Sequence, residues 1–207
     1  MAERHHLALY TRLRFILVTP LAAPLLVATG VLVLAGLSKI QRPSATAGAL
    51  RELSIPQPVM SARLLGGFEV ALGVLAIATG HWLLWLGVGL SYVGFTAFVL
   101  WALADSSRIG SCGCFGREDT PATVGHAVFN AAAAALAFVA VVDPVRITEF
   151  AGSGFEAFLS VVLIIAAIAL SIVALTELPR TLMLARGESP PAVPEFSLDR
   201  NYSSRGI

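Results

Sequence analysis

The chain has 207 residues, of which 57% are hydrophobic and 13% charged, with a mean hydropathy of +0.80 and a formal net charge of +1. A soluble globular domain carries roughly 25% charged residues. These figures therefore argue against a DNA-binding protein, a disordered scaffold and a disulfide-stapled secreted mini-protein, and they point to an integral membrane protein with no nucleic-acid partner. Lys39 is the only lysine beside 13 arginines, a bias typical of a high-GC bacterial genome.

A hydrocarbon core of ~30 Å takes about 20 apolar residues at ~1.5 Å per residue. Five stretches meet that length: 15–38, 63–80, 82–104, 123–142 and 157–178. The first is uncharged from Phe15 to Ser38 and flanked by Arg12, Arg14 and Lys39. It exceeds a signal-peptide h-region and leads to no cleavage site, so a spanning helix is expected, with Pro20 and Pro24 in its first turns. Thr79-Gly80-His81 alone divides the second and third stretches, which demands a tight antiparallel hairpin turned at Gly80. The fourth holds the alanine run 131–135, small side chains that let helices approach closely in a bilayer. The fifth is expected to end at Glu177-Leu178-Pro179, followed by an extended or flexible tail over 179–207.

The expected fold is all-α: a polytopic transmembrane bundle of about five helices. An N-terminal segment (1–14) precedes four helices over 15–142, and an additional helix (157–178) comes before the tail. Five crossings place the first loop (39–62), the third loop (105–122) and the tail on one membrane face.

Both cysteines lie in the third loop, as Ser111-Cys112-Gly113-Cys114-Phe115-Gly116. Thiols two residues apart can bridge only if the backbone between them bends, which Gly113 permits. So small a ring is expected to be strained and readily exchanged. Three readings stay open: a redox pair, a soft-metal site with His126 as third ligand, and an inert pair. A zinc site normally takes four ligands, so no metal is assigned, and no quinone, haem or other cofactor motif is evident.

Glu69 stands six residues into the second stretch, where a carboxylate is costly and faces the bundle interior or a wet cavity. Gly66 and Gly73, at i−3 and i+4, make the same helix face small. Lys39 closes the first helix towards the same membrane face and is the natural charge partner of Glu69; a snorkelling lysine is the alternative. His126 and Asn130 share one face of the fourth helix, where the histidine can stabilise a thiolate or move a proton. Trp82, Trp85 and Trp101 are expected as interface anchors, and His5-His6 is not expected to bind metal.

The order of these features resembles the MauE family within the broader DoxX-like membrane proteins. The matching stretches are Gly36-Leu37-Ser38-Lys39, Arg63 to Gly73 with Glu69, and Cys112-Gly113-Cys114-Phe115-Gly116, followed by a helix with Asn130. The resemblance covers about 15–142 and implies a four-helix membrane domain that assists thiol–disulfide chemistry outside the cytoplasm, with a thioredoxin-like partner. Taken with the reading of the residues themselves, Cys112, Cys114, Glu69 and His126 are expected to carry the chemistry, and Lys39, Gly113, Phe115, Gly116 and Asn130 to support it. Where the family carries Arg-Asn, this chain has Phe129-Asn130, and the fifth helix and tail have no family counterpart.

The expected function is thus a thiol–disulfide exchange protein of the bacterial inner membrane, in which one of Cys112 and Cys114 attacks and the other resolves. The competing expectation is a non-catalytic accessory subunit of a larger membrane assembly such as a transporter complex. On orientation, the N-in topology leaves only Arg4, Arg12, Arg14 and Arg146 inside, against the positive-inside tendency. The resemblance nevertheless places the thiol loop outside, where a disulfide persists.

Overall fold

The computed structural model describes residues 2–104, 123–143 and 155–185, with residues 2–20, 156, 157, 179, 180, 183 and 184 as backbone only. The described residues form six helices: α1 (Ala2–Gln41), α2 (Ser44–Glu52), α3 (Pro58–Thr79), α4 (Trp82–Ala104), α5 (Val124–Val142) and α6 (Phe155–Ala185), and no strand occurs among them. Five of them are long and apolar enough to cross a membrane: α1 over Leu21–Gln41, α3, α4, α5, and α6 over Phe158–Leu178. The all-α polytopic bundle expected from the sequence is what the chain adopts.

Helix ends depart from the apolar stretches. Helix α1 starts at Ala2 rather than Phe15, because residues 2–14 contain no Gly or Pro and are rich in good helix formers. Pro20 and Pro24 consequently lie in the helix interior, not in its first turns, a position tolerated when a helix is held within a membrane bundle. Helix α3 starts at Pro58, whose ring is pre-set for a first helical turn and whose missing N–H costs nothing there. The fifth apolar span ends at Leu178 as expected, but helix α6 itself runs on through Pro179 to Ala185, so residues 179–185 are helical and not an extended tail. The Leu and Ala that follow favour the helix, and the Thr181 hydroxyl donates to the Leu178 carbonyl at 3.0 Å. Residues 186–207 lie outside the described residues. Helix α2 was not anticipated within the first loop; it buries Ala45, Thr46 and Ala47 beside α3.

The α3–α4 hairpin turns as expected. Gly80 closes α3 at φ 62°, a left-handed conformation that glycine adopts without a Cβ penalty, and its N–H donates to the Ala76 carbonyl at 2.9 Å. The imidazole of His81 then accepts the Leu83 N–H at 3.3 Å, starting α4.

The core is built of small residues and a few large ones. Ala22, Leu25, Ala28 and Leu32 of α1 pack with Leu72 and Ala76 of α3, Trp85, Val88 and Tyr92 of α4, and Ala133, Ala134, Ala137 and Ala140 of α5. Trp85 is fully buried, which corrects its expected place at the membrane interface: α4 turns this indole inward against the alanine face of α5. Large apolar side chains such as Leu64, Phe68, Leu75 and Leu90 lie on the outside, as befits helices whose surroundings are lipid and whose association rests on close packing.

Glycines mark the closest approach. A Cβ on Gly36 would lie 2.7 Å from the Gly66 carbonyl oxygen, and one on Gly73 would lie 2.6 Å from Val33 Cγ2. These pairings make α1 and α3 antiparallel. Helix α6 meets α1 where Gly30 faces Ile168. The C-termini of α1 and α4 and the N-termini of α3 and α5 therefore lie at one end of the bundle. The third loop leaves and re-enters there, between Ala104 and Thr123.

Candidate functional site

Two charges meet inside this scaffold. Lys39 stands in the last turn of α1, and Glu69 stands eleven residues into α3, about 16 Å along it. This is deeper into the helix than the expected six residues, because α3 begins at Pro58. The Lys39 Nζ donates to Glu69 Oε2 at 2.8 Å, with the two side chains 4% and 0% exposed. Glu69 Oε1 has no hydrogen-bond partner among the described residues. The pair forms because Gly36 and Gly66 bring the two backbones together: a Cβ on Gly66 would sit 3.0 Å from Lys39 Cβ. The Lys39 ammonium also lies 5.3 Å from the centroid of the Phe95 ring, within cation–π range.

His126 enters from the first turn of α5. Thr123, in the N-cap position with an extended backbone, makes no side-chain cap bond. Its hydroxyl is instead 2.8 Å from His126 Nδ1. That contact fixes the ring, while Nε2 is buried with no hydrogen-bond partner among the described residues. Asn130 follows one turn later, buried on the same face.

Lys39, His126 and Asn130, with Tyr92 and Phe95 of α4, line a cavity of about 30 Å³ closed by Val31, Leu32, Ala35 and Leu175. A volume of that size has room for one or two water molecules. Four expected site residues are thus brought together: Lys39 and Glu69 as an ion pair, and Lys39, His126 and Asn130 around one cavity. Cys112, Gly113, Cys114, Phe115 and Gly116 lie outside the described residues. Among the described residues, no three of His, Cys, Asp and Glu gather into a metal-binding group.

Tyr92, Phe95 and Thr123 were not singled out from the sequence. The signal for Tyr92 was available: a phenol in an apolar stretch needs a partner when buried. Its hydroxyl donates to the Ala28 carbonyl of α1 at 2.5 Å, and its ring meets Phe95 and Phe129 edge-on. Phe129, at the position where the resemblance expects arginine, completes this aromatic cluster instead. Tyr92→Phe is expected to lower stability by about 1 kcal/mol, the usual net worth of one such hydrogen bond. Denaturation of the purified protein in detergent measures it, and an unchanged midpoint would remove Tyr92 from the frame of the site.

Residues 15–143 match the family model described as methylamine utilisation protein MauE. No curated protein and no solved structure matches the chain. The match spans four of the apolar helices, including every turn that carries Lys39, Glu69, His126 and Asn130. The chain is a multi-pass membrane protein, and it belongs to the MauE family.

Proposed function

We propose that this protein carries out thiol–disulfide exchange at the outer face of a bacterial inner membrane, assisting the redox maturation of a partner protein. Cys112 and Cys114 are the exchanging pair: one forms a mixed disulfide with the partner, and the other resolves it. Lys39, Glu69, His126 and Asn130 serve the pair from within the bundle, with His126 and Glu69 holding or moving the protons that exchange takes up and releases.

The observation that carries this reading is the gathering of the buried polar side chains at the end of the bundle where the cysteine loop springs. His126 lies on the first turn of α5, three residues after Thr123, and its cavity reaches Lys39 and so the carboxylate of Glu69. Buried ionisable groups inside a membrane bundle are costly and mark functional paths. Residues 15–142 form the redox unit in this reading. The partner is an extracytoplasmic or membrane protein with a reactive cysteine pair, of thioredoxin-like type.

Two measurements test the proposal together. A membrane-impermeant thiol reagent applied to intact cells should label Cys112 and Cys114 after mild reduction and spare them before it. The Cys112→Ser and Cys114→Ser single variants should trap a mixed disulfide that reductant releases, with one of the two trapping far more than the other. Thiols that stay reduced in cells, together with normal behaviour of the double serine variant, would refute the exchange.

A second reading, an accessory subunit of a larger assembly, draws on α6. This helix leaves Phe158, Leu159, Leu163, Ile165 and Leu170 exposed. Co-purification at fixed stoichiometry that is lost on deleting 157–207, without any mixed disulfide, would favour it.

A further inference from the structure

His126 is 2% exposed, and its two ring nitrogens have different surroundings. Nδ1 lies 2.8 Å from the Thr123 hydroxyl, whereas Nε2 is buried without a hydrogen-bond partner among the described residues. Buried polar atoms in native proteins are satisfied by other protein groups or by internal water, and leaving one unsatisfied costs about 1–3 kcal/mol. The Tyr92 hydroxyl on the same cavity is turned away to the Ala28 carbonyl of α1. The cavity itself meets both conditions for an internal water. It holds about 30 Å³ where one such molecule needs roughly 10–15 Å³, and Lys39, His126 and Asn130 bring polar groups to its wall.

We propose that a water molecule is bound there, hydrogen-bonded to His126 Nε2 and bridging it to Asn130 and the Lys39 ammonium, and that Leu175 of α6 seals it in. Water fits this place where other ligands do not. It donates or accepts, so it serves either tautomer of His126. The space is far below that of an organic ligand. The Lys39 ammonium opposes a cation, and Glu69 at 2.8 Å already neutralises that ammonium, so a small anion has little to gain. His126 and Asn130 are neighbours one turn apart on one helix face, so a single molecule can reach both.

The seal comes from outside the family's four helices. The match over residues 15–143 ends before α6 begins. Helix α6 packs on α1 and contributes Leu175, alone of its residues, to the cavity wall. The fifth spanning helix thereby completes the buried centre. The bridge would also give the protons of the proposed thiol exchange a route from His126 to the Lys39–Glu69 pair. That use rests on the exchange; the water site does not.

The test is water-edited solid-state NMR of the full isotope-labelled chain in phospholipid bilayers, with the His126 ring signals assigned through a His126→Gln variant. Magnetisation is expected to pass from water to the His126 ring. Ala35→Val, which fills the cavity from its apolar side, should weaken that transfer at least fivefold. Val31→Ile, a milder filling by one methyl, should weaken it at least twofold and serves if Ala35→Val does not fold. Gly67→Ala, whose added Cβ meets nothing within 4 Å, should leave it unchanged. Leu175→Ala should shorten the residence time of the water at least tenfold. No transfer in the unsubstituted chain, or equal transfer in the filled variants, would overturn the proposal, as would a residence time unaltered by Leu175→Ala. The readout needs neither cysteine and should persist in the Cys112→Ser/Cys114→Ser double variant. Transfer without disulfide exchange would therefore leave the water site standing and sink the exchange, and exchange without transfer would do the reverse.

Discussion

Replacing Glu69 alone by methionine is expected to destabilise the protein by about 3–5 kcal/mol, while the Lys39→Met/Glu69→Met double variant loses much less. The reason lies in the burial of both groups. With the carboxylate gone, the Lys39 ammonium stays beneath the bundle surface at 4% exposure, without the oxygen 2.8 Å away that compensates its lost hydration. Its contact with the Phe95 face at 5.3 Å is worth far less than an ion pair. Removing both charges ends that penalty and also removes Glu69 Oε1, a buried acceptor with no hydrogen-bond partner among the described residues, whose desolvation is uncompensated. Lys39→Met alone should cost a similar amount, since it strands the carboxylate. Equilibrium unfolding in mixed micelles, arranged as a double-mutant cycle, gives the coupling. A coupling below about 0.5 kcal/mol, the level of an exposed pair, would mean that the two groups do not depend on each other.

The same cycle separates structure from chemistry. On the proposed thiol–disulfide exchange, an ion pair that merely held α1 to α3 would leave the exchange of the stable double variant at the level of the unsubstituted chain. If Glu69 handles protons for the cysteine pair, the double variant will be folded yet slow. Trapping of the mixed disulfide in the double variant, compared at equal amounts of folded protein, reads that difference directly.

This pair was legible in the sequence because each member breaks an apolar pattern. Glu69 is a carboxylate inside a stretch long enough to span, and Lys39 ends the preceding one. Hydropathy likewise gave the crossings, and Thr79-Gly80-His81 gave the hairpin, since no other arrangement fits three residues between two spans. Helix ends were less visible. An apolar stretch records the thickness of a bilayer, whereas a helix continues while its residues tolerate it, as α1 does before Phe15 and α6 does beyond Pro179. The short α2 has no apolar run to announce it. Facing was also hidden: Trp85 and Trp82 are three residues apart in one apolar helix, but only the packing of α4 on α5 turns the first inward. Tyr92 and Phe95 joined the site for the same reason, because their partners lie on α1 and α5, far away in sequence.

Among the described glycines, Gly66→Ala is expected to be the most damaging alanine substitution, at a cost of roughly 1–3 kcal/mol or more. Its Cβ would lie 2.5 Å from the Gly36 carbonyl oxygen, 3.0 Å from Lys39 Cβ and 3.1 Å from Ile40 Cγ1. Two of these atoms are backbone or attached directly to it, so no rotamer change relieves them, and α1 must move away from α3. That movement surrenders close packing for which lipid offers no hydrophobic compensation, and it draws Lys39 away from Glu69. Gly67→Ala, one residue on, should act in the opposite direction. A Cβ there meets nothing within 4 Å, and replacing glycine by alanine in a helix favours folding by up to about 1 kcal/mol. Adjacent glycines in one helix thus give effects of opposite sign, a contrast that helix propensity alone cannot produce. Unfolding midpoints of the two variants in the same detergent decide it: a Gly66→Ala protein as stable as Gly67→Ala would show that α1 and α3 do not meet at Gly36 and Gly66. On the proposed function, disulfide exchange should fall in Gly66→Ala beyond what its folded fraction explains, because the substitution strikes the spacing on which the ion pair depends.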